Sequence, residues 1–295
     1  MRHDDHHTGV AEADGGRVQR APSLPSFQEA LVRPGTVALL VPALCVVVFL
    51  ALPLLAIFLK VLPQEGLWQT LRQPLVVDAL RLSALTSLCS LLLAVLFGTP
   101  VAYLLARHHF RGAGLVETLL DLPMVLPPTV AGVALLMTLG RRGLLGPWLQ
   151  AAGLKISFTT VAVVLAQSFV SLPFYIRAAQ AGFRSVDPEL ERVAYTLGVS
   201  PCMVFLRVTV PLAFPALLSG GVMAWARALG EFGATIMFAG NLRGSTQTMP
   251  LAIYLAMESD LSTALALSAL LILVPFSVLL LMRVLLHRGV FAAYA

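Results

Sequence analysis

Charge is the scarcest ingredient of this 295-residue chain. Asp, Glu, Lys and Arg together make up 12% of it, about half the share of a soluble domain. With 58% hydrophobic residues and a mean hydropathy of +0.86, that shortage argues against a water-exposed globule and makes lipid the expected solvent. Lysine is nearly missing: Lys60 and Lys155 are the only two, and neither stands in Gly-x-x-x-x-Gly-Lys-Ser/Thr. The chain therefore has no phosphate-cradling loop of its own, and ATP-driven work would need a second polypeptide. Cys45, Cys89 and Cys202 lack metal-ligand spacing and are not placed for a disulfide framework. No Ser/His/Asp set, His-Glu-x-x-His or His/Cys cluster falls in the apolar stretches, which argues against an intramembrane protease or metalloenzyme. No catalytic residue, metal site or bound cofactor is expected in this chain.

Long apolar runs are what the chain does have. Six stretches approach the roughly 20 residues needed to cross a bilayer: 36–59, 79–106, 115–140, 157–181, 212–238 and 261–286. Continuous runs such as Leu91-Leu92-Leu93-Ala94-Val95-Leu96-Phe97 do not fit the alternation of an outer-membrane barrel. The expected fold is all-α, a polytopic membrane protein of six transmembrane helices over 36–288. Residues 1–35, with His3, His6, His7 and Gly15-Gly16, read as a disordered cytoplasmic tail, and 289–295 as a short cytoplasmic C-terminus. With both termini inside, twelve Lys and Arg fall inside and seven outside, while Arg227 lies in a span. Arg141 and Arg142 are the weakest point of that balance. The net charge of +5 thus follows topology and is no signal for nucleic acid. Residues 60–78 read as an external segment, with Trp68 at the headgroup level of a short interfacial helix.

Two interruptions carry the functional reading. In the third stretch Pro127-Pro128 breaks the backbone ladder, a break tolerated where it faces a cavity, so this segment is either a pathway liner or a kinked structural helix. The second is the polar loop 182–211. Asp187 then Pro188 is a cap followed by a residue without an amide proton, and Glu189 and Glu191 suit the first turn of a helix. Leu190, Val193, Ala194 and Leu197 share one apolar face, and Gly198 terminates it. Ser200-Pro201 repeats the start signal and opens a second helix running through Phe205 and Arg207 to Pro211. So amphipathic a helix must lay its stripe on headgroups, on its own bundle or in a partner's groove; its acids argue for the groove.

Residues 191–211 resemble the signature loop of bacterial ABC-importer permeases: Glu-Ala-Ala, three residues, Gly, nine residues, Ile-x-Leu-Pro. Gly198 matches the glycine, and Val208-Thr209-Val210-Pro211 the terminal element. Arg192, Val193 and Ala194 stand where Glu-Ala-Ala is usual, with the acid one position earlier at Glu191. Within that family, Gly230-Glu231-Phe232-Gly233-Ala234-Thr235 and Thr246-Gln247-Thr248-Met249-Pro250-Leu251-Ala252-Ile253-Tyr254 are similar to the molybdate permeases. Sulfate permeases usually read Gly-Glu-Tyr-Gly-Ser there and lack the second stretch. The resemblance implies an importer subunit for molybdate, with tungstate close behind, in the bacterial cytoplasmic membrane. It implies a homodimer of this chain in membrane lipid, two copies of an ABC ATPase that use ATP and Mg, and a periplasmic or lipid-anchored molybdate-binding protein. It also implies that Asp187, Glu189, Glu191, Arg192, Ala194, Leu197, Gly198, Ser200, Pro201 and Pro211 form the ATPase-coupling loop.

Arg227 and Glu231, four apart, share a helix face inside the fifth stretch. They either line the oxyanion's path, with Pro127, Pro128, Gly230, Gly233 and Thr235, or form an ion pair that fastens helices. Glu117 and Asp121, also four apart, say less. An ATP-independent transporter would show paired broken helices in two repeats, and only one break is evident.

Overall fold

The computed structural model describes residues 34–108 and 110–287, and every regular element among them is helical. The chain falls into two units, 1–53 and 54–295. The expected tail 1–35 lies almost wholly outside the described residues, and so does the C-terminus 289–295. Among the described residues five helices are long and apolar enough to span a bilayer, or six when one bent pair is counted as a span. The first, α1 (Pro34–Val61), contains Pro42 and Pro53; its 28 residues reach about 42 Å at 1.5 Å per residue.

The second unit is organised around three long helices. After α2 (Leu67–Leu71), which carries exposed Trp68, come α3 (Pro74–Arg107), α7 (Thr160–Ser185) and α10 (Val210–Leu229). Between Val76 and Leu105 the buried face of α3 is Ala79, Ser83, Thr86, Ser87, Ser90, Ala94, Gly98 and Ala102, a stripe of small residues at helical spacing. Small residues let backbones approach, and in lipid their hydroxyls join helices that the hydrophobic effect cannot. A Cβ on Gly98 would lie 2.8 Å from the Tyr175 ring of α7. The Ser90 hydroxyl lies 3.0 Å from the Val164 carbonyl, and Ser87 Oγ accepts the Trp225 indole N–H of α10 at 3.1 Å. Ser83 Oγ accepts the Met249 amide at 2.7 Å, which ties in α12 (Met249–Ser259). The last helix, α13 (Leu261–His287), is capped by Asp260; the hydroxyls of Ser262 and Thr263 hold that carboxyl below the usual carboxylate range.

The third apolar stretch is broken where the prolines demand it. α4 (Ala113–Val125) and α5 (Pro128–Leu139) meet at 115° across Leu126-Pro127. The fifth stretch corrects the expectation of a continuous span over 212–238. α10 stops at Leu229, and a separate α11 (Gly233–Ala239) starts after Gly230-Glu231-Phe232. α11 lies against α5, and glycine permits the approach: a Cβ on Gly132 would sit 2.6 Å from the Ala234 carbonyl oxygen. Gly132→Ala should lower stability by about 1–3 kcal/mol through overpacking, measured as a lower Tm in detergent. An unchanged Tm would show that the helices do not pack this closely. α6 (Gly146–Ala151) is a short turn between α5 and α7, with Trp148 exposed.

Candidate functional site

The loop between α7 and α10 folds as its local chemistry dictates. α8 (Pro188–Thr196) starts where Asp187 Oδ1 accepts the Glu189 amide at 2.9 Å. It ends at Gly198, whose φ of 77° is the left-handed conformation only glycine takes cheaply. The Gly198 amide bonds the Tyr195 carbonyl and the Val199 amide bonds that of Ala194, the paired closure of a Schellman end. The expected second helix is shorter than read. α9 (Pro201–Val204) passes into a π turn, Phe205–Thr209, and that runs without a break into α10, so Pro211 lies in the first turn of a membrane helix.

The side chains of α8 reverse the usual amphipathic order. Leu190, Val193 and Leu197 are exposed, Leu197 at 77%, and Ala194 is half-buried; Glu191, an acid, is 6% exposed. Asp187, Glu189, Arg192, Gly198, Ser200 and Pro201 remain on the surface, and Glu189 pairs with Arg192 there. Glu191 stands apart from this expected docking set. Its Oε1 accepts Arg107 Nη2 at 2.8 Å, Arg107 Nε at 3.2 Å and the Thr209 hydroxyl at 2.7 Å. Arg107 Nη2 also donates to the Val186 carbonyl at 3.0 Å. Beneath this cluster the rings of Tyr103, Phe183 and Phe205 pack with centroids 4.8–5.9 Å apart.

A second charged cluster ties α4 to α7. Arg177 grips Asp121 with two N–H groups, at 2.7 and 2.5 Å, and donates to Gln180 at 2.8 Å. Gln180 passes the link to Glu117 at 2.7 Å, and Arg184 reaches the same carboxylate at 3.2 Å. Sequence reasoning missed this set. Its signal was present: acids four apart on α4 match Arg177, Gln180 and Arg184 at helical spacing on one face of α7.

Arg227 and Glu231 meet at the break between α10 and α11. Arg227 Nη1 lies 2.7 Å from Glu231 Oε2, and the carboxylate is 1% exposed against 30% for the guanidinium. The other oxygen accepts the Ala234 amide at 2.8 Å and so caps α11. Gly233 sits against the other break: its Cβ position is 2.7 Å from Pro128 Cβ. The two breaks therefore abut at Pro128 and Gly233, with Pro127 beside the first and Arg227, Gly230 and Glu231 beside the second. Pro127, Pro128 and Gly230 are exposed, whereas Gly233 and Thr235 are buried between helices and face no surface of this chain. Among the described residues no group of three His, Cys, Asp or Glu side chains could hold a metal ion.

Residues 95–291 match the family described as binding-protein-dependent transport system inner membrane component. The chain is 47% identical over 239 residues to the molybdenum transport system permease protein ModB of Mycobacterium tuberculosis, covering 81% of this chain and 90% of that one. It is 40% identical over 194 residues to the molybdate/tungstate transport system permease protein WtpB of Pyrococcus abyssi, 65% of this chain and 73% of that one. Its fold is like that of a chain of the bacterial alginate ABC transporter solved with its periplasmic protein. The TM-score is 0.69 at 16% identity, over 89% of this chain and 97% of that one. The chain thus belongs to the binding-protein-dependent inner-membrane transport components, as a multi-pass, all-helical permease.

Proposed function

We propose that this chain is the permease subunit of an ATP-driven importer that carries molybdate, and tungstate as a second cargo, across the bacterial cytoplasmic membrane. The names borne by its relatives favour these ions over sulfate. The observation that carries the mechanism is the uncovered apolar face of α8. A helix outside the spans that exposes Leu190, Val193 and Leu197 while burying its acid is shaped for a partner's groove. The groove belongs to a cytoplasmic ABC ATPase, present in two copies, which binds ATP and Mg; this chain binds no cofactor. That assignment sets the loop and both termini inside. A second copy of this chain completes the path, and a periplasmic or lipid-anchored molybdate-binding protein delivers the ion.

ATP binding draws the two ATPases together and moves the α8 loops, so that the long helices rock between inward- and outward-open states. The two abutting breaks line the path of the dianion. Arg227, already neutralised by Glu231, attracts the ion without holding it so tightly that release stalls. The test is uptake of labelled molybdate by cells lacking this chain, with and without the chain restored. Restored uptake that molybdate and tungstate compete for, and sulfate does not, is expected; a sulfate-selective or unchanged uptake would overturn the cargo.

A further inference from the structure

Four structural elements converge near one carboxylate oxygen. Arg107 is the last residue of α3, Val186 directly follows α7, Glu191 lies in α8, and Thr209 closes the π turn that opens α10. Glu191 Oε1 takes three donors from Arg107 and Thr209, and the same guanidinium holds the Val186 carbonyl. The loop is thus fixed to the feet of α3, α7 and α10 by directed, charge-assisted bonds as well as by its chain ends. Apolar contact alone would let α8 slide; a carboxylate with three donors is strict about angle and distance.

The π turn supplies the part that can move. Its five residues, Phe205–Thr209, carry a wider turn than the α-helix on either side, a feature found mostly at functional positions. Closing such a turn to α-helical winding would re-aim the segment before it by about 100° relative to α10. Thr209, whose hydroxyl bonds Glu191, is buried at its end. A push on α8 therefore reaches α10 at its most deformable point and α3 at its end.

We infer that Arg107, Glu191 and Thr209 form the joint that turns displacement of α8 into movement of α3 and α10. Glu191 is then a positioning residue within this chain, not a contact to the ATPase. The inference rests on α8 being the docking helix, as proposed above. Its test uses the transporter reconstituted in proteoliposomes with its ATPase and binding protein, and the purified permease alone. The variants are Glu191→Gln, Thr209→Val, Thr209→Ser and the double variant Arg107→Met/Glu191→Met, which leaves no buried charge without its partner and so guards against misfolding.

All variants should keep stoichiometric ATPase, because the outward face of α8 is untouched. Molybdate moved per ATP hydrolysed should fall at least fivefold in the double variant and in Thr209→Val. Thr209→Ser, which keeps the hydroxyl, should restore coupling. In the permease alone, amide exchange over residues 187–198 should speed up at least tenfold in the double variant. Unchanged exchange, or full coupling in the double variant, would overturn the joint. So would loss of the ATPase in Glu191→Gln with full coupling in Thr209→Val, since that makes Glu191 a partner contact. A wild-type chain that binds no ATPase would instead overturn the docking reading, and the exchange measurement would still judge the joint.

Discussion

Leu197→Asp and Val193→Asp are each expected to weaken the complex with the ATPase by tenfold to a hundredfold. A leucine or valine buried in a partner's groove contributes about 1.5–3 kcal/mol. An unpaired carboxylate in its place adds a desolvation cost of its own. Each 1.4 kcal/mol is a factor of ten in affinity. The permease itself should be unharmed, because Leu197 and Val193 are exposed in the isolated chain. Co-purification of tagged permease with the ATPase, beside a Tm in detergent, separates the two effects. Stoichiometric ATPase with either variant would show that the apolar face of α8 docks elsewhere.

Arg227→Leu has the other large expected effect. Glu231 is buried, and removing its cation strands a carboxylate, which costs about 3–5 kcal/mol when a buried pair is broken on one side. Low yield and a depressed Tm are expected. The double variant Arg227→Leu/Glu231→Leu removes both charges and should recover most of the stability, less about 1 kcal/mol for the lost cap on α11. Uptake separates the two readings of the pair. If the guanidinium attracts the passing dianion, the double variant folds and binds the ATPase but carries molybdate at least tenfold more slowly. Wild-type uptake by that variant would make the pair a fastener of the α10–α11 break and nothing more.

What the sequence made legible was local. Asp187-Pro188 and Gly198 set the ends of α8 because a cap, a proline and a left-handed glycine act within one turn, and the structure has each in that role. Pro127-Pro128 announced the α4–α5 break for the same reason. The inward turn of Glu191 was not legible, because it depends on Arg107, 84 residues earlier, and on Thr209, 18 later. The α10–α11 break was hidden because no proline marks Gly230-Glu231-Phe232 and the apolar run continues beyond it to Phe238. Arg177 and Arg184 fall among the twelve charges counted inside; their spacing matches that of Glu117 and Asp121, but that the two helix faces meet is decided by packing between segments some 60 residues apart.

Energy coupling through α8 is most directly tested by molybdate uptake into proteoliposomes that hold this chain, its ATPase and the loaded binding protein. Uptake should require ATP, stop with a non-hydrolysable analogue after at most one turnover, and be lost with Leu197→Asp. Equal uptake in the absence of ATP would contradict it and make this chain a transporter that works on its own.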